Sequence, residues 1–520
     1  MTKIQLQLRI NKISTLLIGL DDILKEHKAK VKNNGFCKLE LTRDKHCISR
    51  RNISEKALRA MYRLIDSGFK SYLVGGAVRD LLLGKAPKDF DVSTNARPEQ
   101  ITNVISNSRI IGRRFKIVHA VYGHEIVEIT TFRSALKSQA QQSLNGTNRF
   151  TKSTNGALVR DNNYGKSLKD DASRRDFTIN ALYYDISNFS IVDYFGGLYD
   201  LCHETIDIIG DPKTRYEEDP VRMIRAIRFA AKLDFKISRR TSAPILKMGV
   251  HLTYVSPDRM YEEINKLLLS GYGLKAYRLM KKYDLLKYIF GQSNIDIMTS
   301  ERGNAFIEYA LTCSDQRIAQ GKFNVPYFLY SILLYPVFEN KLFELMESSF
   351  MAPVSYEKRK GLIDKIFRQI SCINIPYFVI EDISRVWMDQ LDLISIKKEE
   401  QADIISRKSL FRATFDLLKL RAAVDPYLAD AVIFWQPYYE ERVRIHELEK
   451  AAKEKRLMEK RLKRESKKKN FDSKQKGLGR SDAISAIAEN AHAKTLEKRK
   501  NRRKQKAQIL NIKINEDIPF

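Results

Sequence analysis

Residues 73–84 read LVGGAVRDLLLG, and residues 88–94 read KDFDVST. The apolar run Ser71–Val74 has the character of a buried strand. Gly75 and Gly76 break it, Ala77–Leu83 forms a short helix, and Gly84 ends that helix. Phe90, Asp91 and Val92 then lie in a second strand. Glycines let backbone N–H groups approach phosphate oxygens, and a helix N-terminus adds a favourable dipole. Arg79, on the first turn, is placed to pair with a phosphate. Residues two apart in a strand point to the same side. Asp89 and Asp91 therefore project together, with Phe90 buried opposite. Two adjacent carboxylates suit Mg²⁺, whose shell is commonly completed by phosphate oxygens. Alone, the acidic pair also fits a surface turn, and the glycine pair a tight turn around a structural arginine. Their succession points to a phosphate-and-metal site.

Such sites commonly need a third carboxylate. Ile117–Val121 and Glu125–Thr131 alternate like paired strands joined through Gly123. Alternation turns Glu128 away from Val127 and Ile129, which makes it the candidate. Glu125 is the rival, set beside the Gly123 turn. His119, on the preceding strand, reads equally as a satisfied strand histidine and receives no catalytic role.

Outward from this core, Ile53–Ser67 carries Ala57, Met61 and Leu64 on one helical face and is stopped by Gly68. Residues 134–169 are rich in Ser, Asn, Gln and Gly and read as a long loop inside the domain. From about 215 onward the apolar spacing is helical almost throughout. Asp219-Pro220 has the form of a helix start, with Asp219 as cap. The expected fold is α+β, with a small mixed sheet rather than a doubly wound one. The expected organisation is an N-terminal extension (1–50), a catalytic head (51–205), a helical neck (206–275), a helical body (276–446) and a basic tail (447–520). The tail is expected to be helical at first and disordered beyond.

Charge narrows the partners. The chain of 520 residues has 92 Lys and Arg against 63 Asp and Glu, a net charge of +29. Residues 447–506 hold 22 basic and 9 acidic residues, a net of +13, so +16 remains on the rest of the chain. A basic excess spread over body and tail suits a phosphate-backbone partner better than a small metabolite. The five cysteines are scattered without a Cys-x-x-Cys pair, which argues against a zinc knuckle and for a reducing compartment. No apolar run approaches the ~18 residues of a membrane span. The N-terminus lacks the continuous apolar core of a signal peptide, while its scarcity of acids leaves an organellar transit peptide as an alternative.

The motifs together resemble the branch of the nucleotidyltransferase superfamily shared by bacterial poly(A) polymerases and class II CCA-adding enzymes. LVGGAVRDLLLG with KDFDVST is similar to its metal and phosphate motif. Arg174–Leu182 (RRDFTINAL) resembles its second motif, and Glu218–Phe229 (EDPVRMIRAIRF) its base-reading motif. The resemblance implies catalytic Asp89, Asp91 and Glu128, with Asp89 and Asp91 holding two Mg²⁺ ions (Mn²⁺ as substitute). It implies nucleotide contacts from Gly75, Gly76, Arg79, Arg175, Asp176, Asp219, Arg222, Arg225 and Arg228. Asp219 and Arg222, three apart, would share one face and meet the Watson–Crick edge of the incoming base, one accepting and the other donating.

Three flanking segments resemble the polymerases rather than the CCA-adding enzymes: His46–Arg50 with Ile53-Ser54, Gly112–His119 and the loop around Gly156–Asn162. The implied activity is template-independent addition of AMP from ATP to RNA 3′ ends. CCA addition to tRNA, or an inactive RNA-binding core, are the alternatives. A cytoplasmic monomer working with RNA-decay machinery is the implied setting.

Overall fold

The computed structural model describes residues 19–112, 116–133, 152–153, 156–157, 164–165, 167–348, 354–370, 372–396 and 398–476. The expected loop at 134–169 lies mostly outside the described residues, as do the first 18 residues, part of Gly112–His119, and the tail beyond 476.

Eight strands form one mixed sheet: β1 (Leu39–Leu41), β2 (Ser71–Val74), β3 (Asp91–Thr94), β4 (Ser108–Ile111), β5 (Ile117–Tyr122), β6 (Glu125–Thr131), β7 (Leu182–Asp185) and β8 (Ser190–Asp193). Their spatial order is β1-β8-β7-β2-β3-β6-β5-β4. β3 and β6 pair in parallel; the other neighbours are antiparallel. The α+β expectation holds, with a mixed sheet.

The Glu55–Asp66 helix backs the sheet. Ser54 caps it by accepting from the Lys56 N–H, and Ala57, Ala60, Met61 and Leu64 are buried. The expected extension is partly built into the head. Asp21–Asn34 is helical, and Lys28 reaches Asp200 at 2.6 Å and Asp207 at 3.2 Å. β1 then adds an edge strand to β8.

The Val221–Leu233 helix is buried along Met223, Ile224, Ile227 and Ala230. It packs against the Pro257–Leu268 and Gly273–Lys282 helices, which form the neck. Further on, Trp387 is fully buried, stacked on Phe338 at 4.9 Å and Phe367 at 5.9 Å. Its indole N–H donates to the Ser331 carbonyl at 3.2 Å.

The chain divides into two compact units. The larger takes residues up to 398 with 409–434, and the smaller takes 399–408 with residues from 435 onward. Glu399–Ser406, in the smaller unit, is helical, and a long helix runs from Ala429 to Lys476. Residues 447–460 of that helix are exposed, as expected for a solvated charged helix. No helix among the described residues is long and apolar enough to cross a membrane.

Candidate active site

β3 positions the acidic residues. Asp91 is its first residue and sits in register with Val74 on β2 and Glu128 on β6. Parallel pairing thus sets Glu128 beside Asp91, while Val127 and Ile129 turn into the core. Asp89 lies just before the strand and is exposed, with Phe90 partly packed against the core. Glu125, the rival, is engaged elsewhere, with Ser54 and with Lys56 at 2.9 Å.

Burial and the like charges of Glu128 and Asp89 push the Asp91 carboxyl up to about 6, against the opposing pull of Arg175. Uncompensated negative charge on oxygen ligands is the donor chemistry a divalent cation would neutralise. Among the described residues, no three ligand-type side chains close into a ready-made metal cage. The register brings the carboxylates alongside one another without converging them. His119, opposite Glu128 on β5, approaches it to 3.4 Å.

The glycine turn lies directly after Val74. Gly75 has φ of +73°, a conformation that favours glycine, and a Cβ there would stand 3.2 Å from Arg175 Nη1. Arg175 therefore crosses the turn beside Asp91. Its Nε donates to Tyr183 Oη at 2.9 Å and its Nη2 to Asp171 Oδ2 at 3.2 Å. Buried Asp171 also accepts from Tyr183 Oη at 2.7 Å and Ser93 Oγ at 3.1 Å. It ties β3, β7 and the Leu168–Arg174 helix to Arg175.

Several expected nucleotide contacts have protein partners. Arg79 is buried, and its guanidinium donates to Asp80 at 2.8 Å and Asn180 at 2.6 Å. It braces the short Gly76–Leu82 helix against the second motif. Asp176 accepts from Arg225 Nε at 2.9 Å and Nη2 at 2.5 Å. Burial opposes its ionisation, but Arg225, Asn180 and the Phe177 N–H hold its carboxyl down at about 2. Arg228 lies 3.6 Å from Glu263 and 4.6 Å over the Phe229 ring. Gly76 begins the short helix directly after the Gly75 turn.

The geometry of the third motif differs from expectation. The Pro212–Glu218 helix ends at Asp219, whose φ of −153° is extended, and Pro220 precedes the next helix. Asp219 thus lies between two helices, its side chain does not cap the second, and it shares no helical face with Arg222. It binds Arg259 in bidentate fashion, at 2.9 and 2.8 Å. Arg222 turns back to Glu218 Oε2 at 2.9 Å and the Arg215 carbonyl at 2.7 Å. Sequence reasoning missed Arg259. It lies 40 residues from its partner, without a local signal.

A strand-borne carboxylate set beside a glycine turn, on a mixed sheet followed by a helical neck, matches the nucleotidyltransferase class, and similarity to known proteins places the chain in it. Residues 71–207 match the poly A polymerase head domain, 234–295 the probable RNA and SrmB-binding site of polymerase A, and 362–470 the polymerase A arginine-rich C-terminus. The chain is 41% identical over 393 residues to poly(A) polymerase I of Escherichia coli O6:H1, covering 74% of this chain and 82% of that one. It is 36% identical over 224 residues to the CCA-adding enzyme of Lactobacillus helveticus, covering 43% and 52%. The Bacillus stearothermophilus CCA-adding enzyme in complex with CTP shares the fold, with a TM-score of 0.51, 22% identity, and coverage of 74% and 82%. The chain belongs to the bacterial poly(A) polymerase family, which comprises polynucleotide adenylyltransferases.

Proposed function

We propose that this chain transfers AMP from ATP to RNA 3′ ends without a template, in RNA polyadenylation and turnover. The observation that carries the reading is the Asp91–Glu128 register beside Asp89 and the Gly75 turn. Similarity to poly(A) polymerase I runs over 393 residues and that to the CCA-adding enzyme over 224, which favours AMP addition over CCA addition.

In the step itself, the RNA 3′ oxygen forms a bond to the α-phosphorus. The bond from that phosphorus to the β-bridging oxygen breaks, pyrophosphate departs, and the hydroxyl proton is released. Asp89 and Asp91 would hold two Mg²⁺ ions, with Glu128 as third carboxylate. Bound there, the ions would favour ionisation of the attacking hydroxyl and offset charge on the leaving pyrophosphate. Gly75 and Gly76 let the backbone approach the triphosphate, with Arg175 beside it. Arg228, paired only loosely with Glu263, is available to a phosphate. Asp219 and Arg222 read the adenine edge, and Arg259 fixes the orientation of Asp219. Arg79, Asp176 and Arg225 position these groups. The setting proposed is a cytoplasmic monomer working alongside RNA-decay machinery.

The test offers each nucleotide separately, first with a generic RNA and then with tRNA lacking its CCA end. Magnesium-dependent addition of AMP to the generic RNA is expected. Addition of C, C and A confined to the tRNA would identify the CCA activity instead, and no incorporation at all would leave an RNA-binding core.

A further inference from the structure

Far along the chain from the carboxylates, a half-open cleft of about 500 Å³ lies in the helical body between the Glu301–Ala319, Pro326–Glu347 and Phe411–Ala422 helices. That size suits a small ligand. Its charges cancel one another. Arg302 reaches Glu339 at 3.3 Å and Asp425 at 3.1 Å, and Arg421 donates to Glu339 at 2.9 Å. Two guanidiniums matched by two carboxylates do not recommend a phosphate as occupant.

The remaining features suit a planar, neutral group. Phe306 and Tyr335 are aromatic walls, each 5% exposed, whereas Phe343 at the rim is 51% exposed. An aromatic ring half in solvent is a platform for a base. Arg421 is 9% exposed, and its Nε, among this buried set, has no hydrogen-bond partner. Its guanidinium lies 4.7 Å over the Tyr335 ring and donates through Nη1 to Gln390 at 2.9 Å, so Arg421 lines the cleft as a fixed, planar donor group. Asn340 adds an exposed amide at the same rim. An asparagine amide can pair both the amino group and the ring nitrogen of adenine.

We propose that this cavity is an adenine-binding subsite of the body, separate from the catalytic pocket, taking a base of the growing RNA 3′ tail. Adenine presents an amino donor to the carboxylates and ring-nitrogen acceptors to Arg421 and Asn340. Uracil offers only a single ring to Phe343, and guanine turns two acceptors, N7 and O6, toward the Asn340 amide where adenine offers an acceptor and an amino donor. Cytosine has the right edge but a single ring to stack on Phe343. That the base comes from a tail rests on the proposed function; adenine recognition does not.

The test uses the full-length chain with short 3′-deoxy-terminated oligo(A), oligo(U) and oligo(C), which accept no further nucleotide. Phe343→Ala and Asn340→Ala alter exposed side chains and are expected to fold. Each should weaken oligo(A) binding about tenfold and leave oligo(U) binding unchanged. Photocrosslinking with 8-azidoadenine as free monophosphate, and separately within oligo(A), should label the Pro326–Glu347 helix. Labelling by the oligonucleotide alone assigns the site to the tail; labelling by the free monophosphate alone retains the adenine subsite but overturns its assignment to the tail. Equal losses for oligo(A) and oligo(U), unchanged oligo(A) binding, or labels confined to residues before 234 would overturn the subsite. Failure to incorporate ATP would sink the proposed function without touching these binding results.

Discussion

Replacing Asp91 by Asn should stabilise the metal-free protein at pH 7 while removing its activity. In the folded state the Asp91 carboxyl titrates near 6, through burial and the charges of Glu128 and Asp89, against about 3.9 in an unfolded chain. The folded state therefore holds this proton more tightly, and wild-type stability falls as pH rises from about 4 to 6. Above 6 the penalty is complete; below 4 it vanishes. The full shift corresponds to about 3 kcal/mol, and partial solvent access reduces it to on the order of 1–2 kcal/mol. Asparagine approximates the neutral form and escapes the penalty. Both tryptophans, Trp387 and Trp435, lie outside the head, so intrinsic tryptophan fluorescence does not read this region. Hydrogen exchange of peptides spanning 71–94, in EDTA and across pH 4–8, does. Protection in the variant should exceed wild type above pH 6 and converge with it near pH 4. Added Mg²⁺ should protect wild type and leave the variant unchanged. A variant less protected than wild type at pH 7 without metal would refute the picture of carboxylates held in mutual repulsion.

The same shift gives a rate prediction: at limiting Mg²⁺, AMP transfer should rise with pH through about 6, and excess Mg²⁺ should move that midpoint lower, as read from pH–rate profiles at two metal concentrations. Asp176→Asn should destabilise the head by about 3 kcal/mol by leaving Arg225 short of its buried partner, measured by urea unfolding of the peptide region 168–233 under exchange. Because the Asp176 carboxyl is held down at about 2, that difference should persist above pH 4 and shrink as pH falls toward 2. Arg259→Ala should leave folding intact yet reduce the preference for ATP over CTP several-fold in single-nucleotide addition, since Asp219 loses both its bonds. Deleting residues 447–520 should spare addition to short primers at saturating concentration and flatten the log-affinity against log-salt slope by about 0.7 for each RNA phosphate the tail had neutralised.

Local pattern carried most of the candidate site. Strand alternation alone set Glu128 apart from Val127 and Ile129, and the register with Asp91 agrees. The turn at Gly75 was legible because a glycine pair between a strand and a helix has few other uses. Asp89 was harder: β3 begins only at Asp91, so two-residue alternation did not fix its direction. Pairings across long separations left no trace in the sequence. Asp219 is adjacent to a proline and reads as a cap, yet Arg259 takes its carboxylate. Asp176 reads as a ligand contact, yet Arg225, 49 residues on, binds it. The edge strand β1 is three residues long, too short for any period to show, so its place in the head was not legible.

The most direct test of the account is transfer of labelled AMP from ATP to a generic RNA by the wild-type chain and by Asp91→Ala, with and without Mg²⁺. Wild type should extend the RNA only with the metal, release one pyrophosphate per nucleotide added, and show little use of CTP or UTP. Asp91→Ala should bind the RNA as tightly as wild type and add nothing. Substantial addition by the variant, or none by wild type, would contradict the assignment of this carboxylate site to adenylyl transfer.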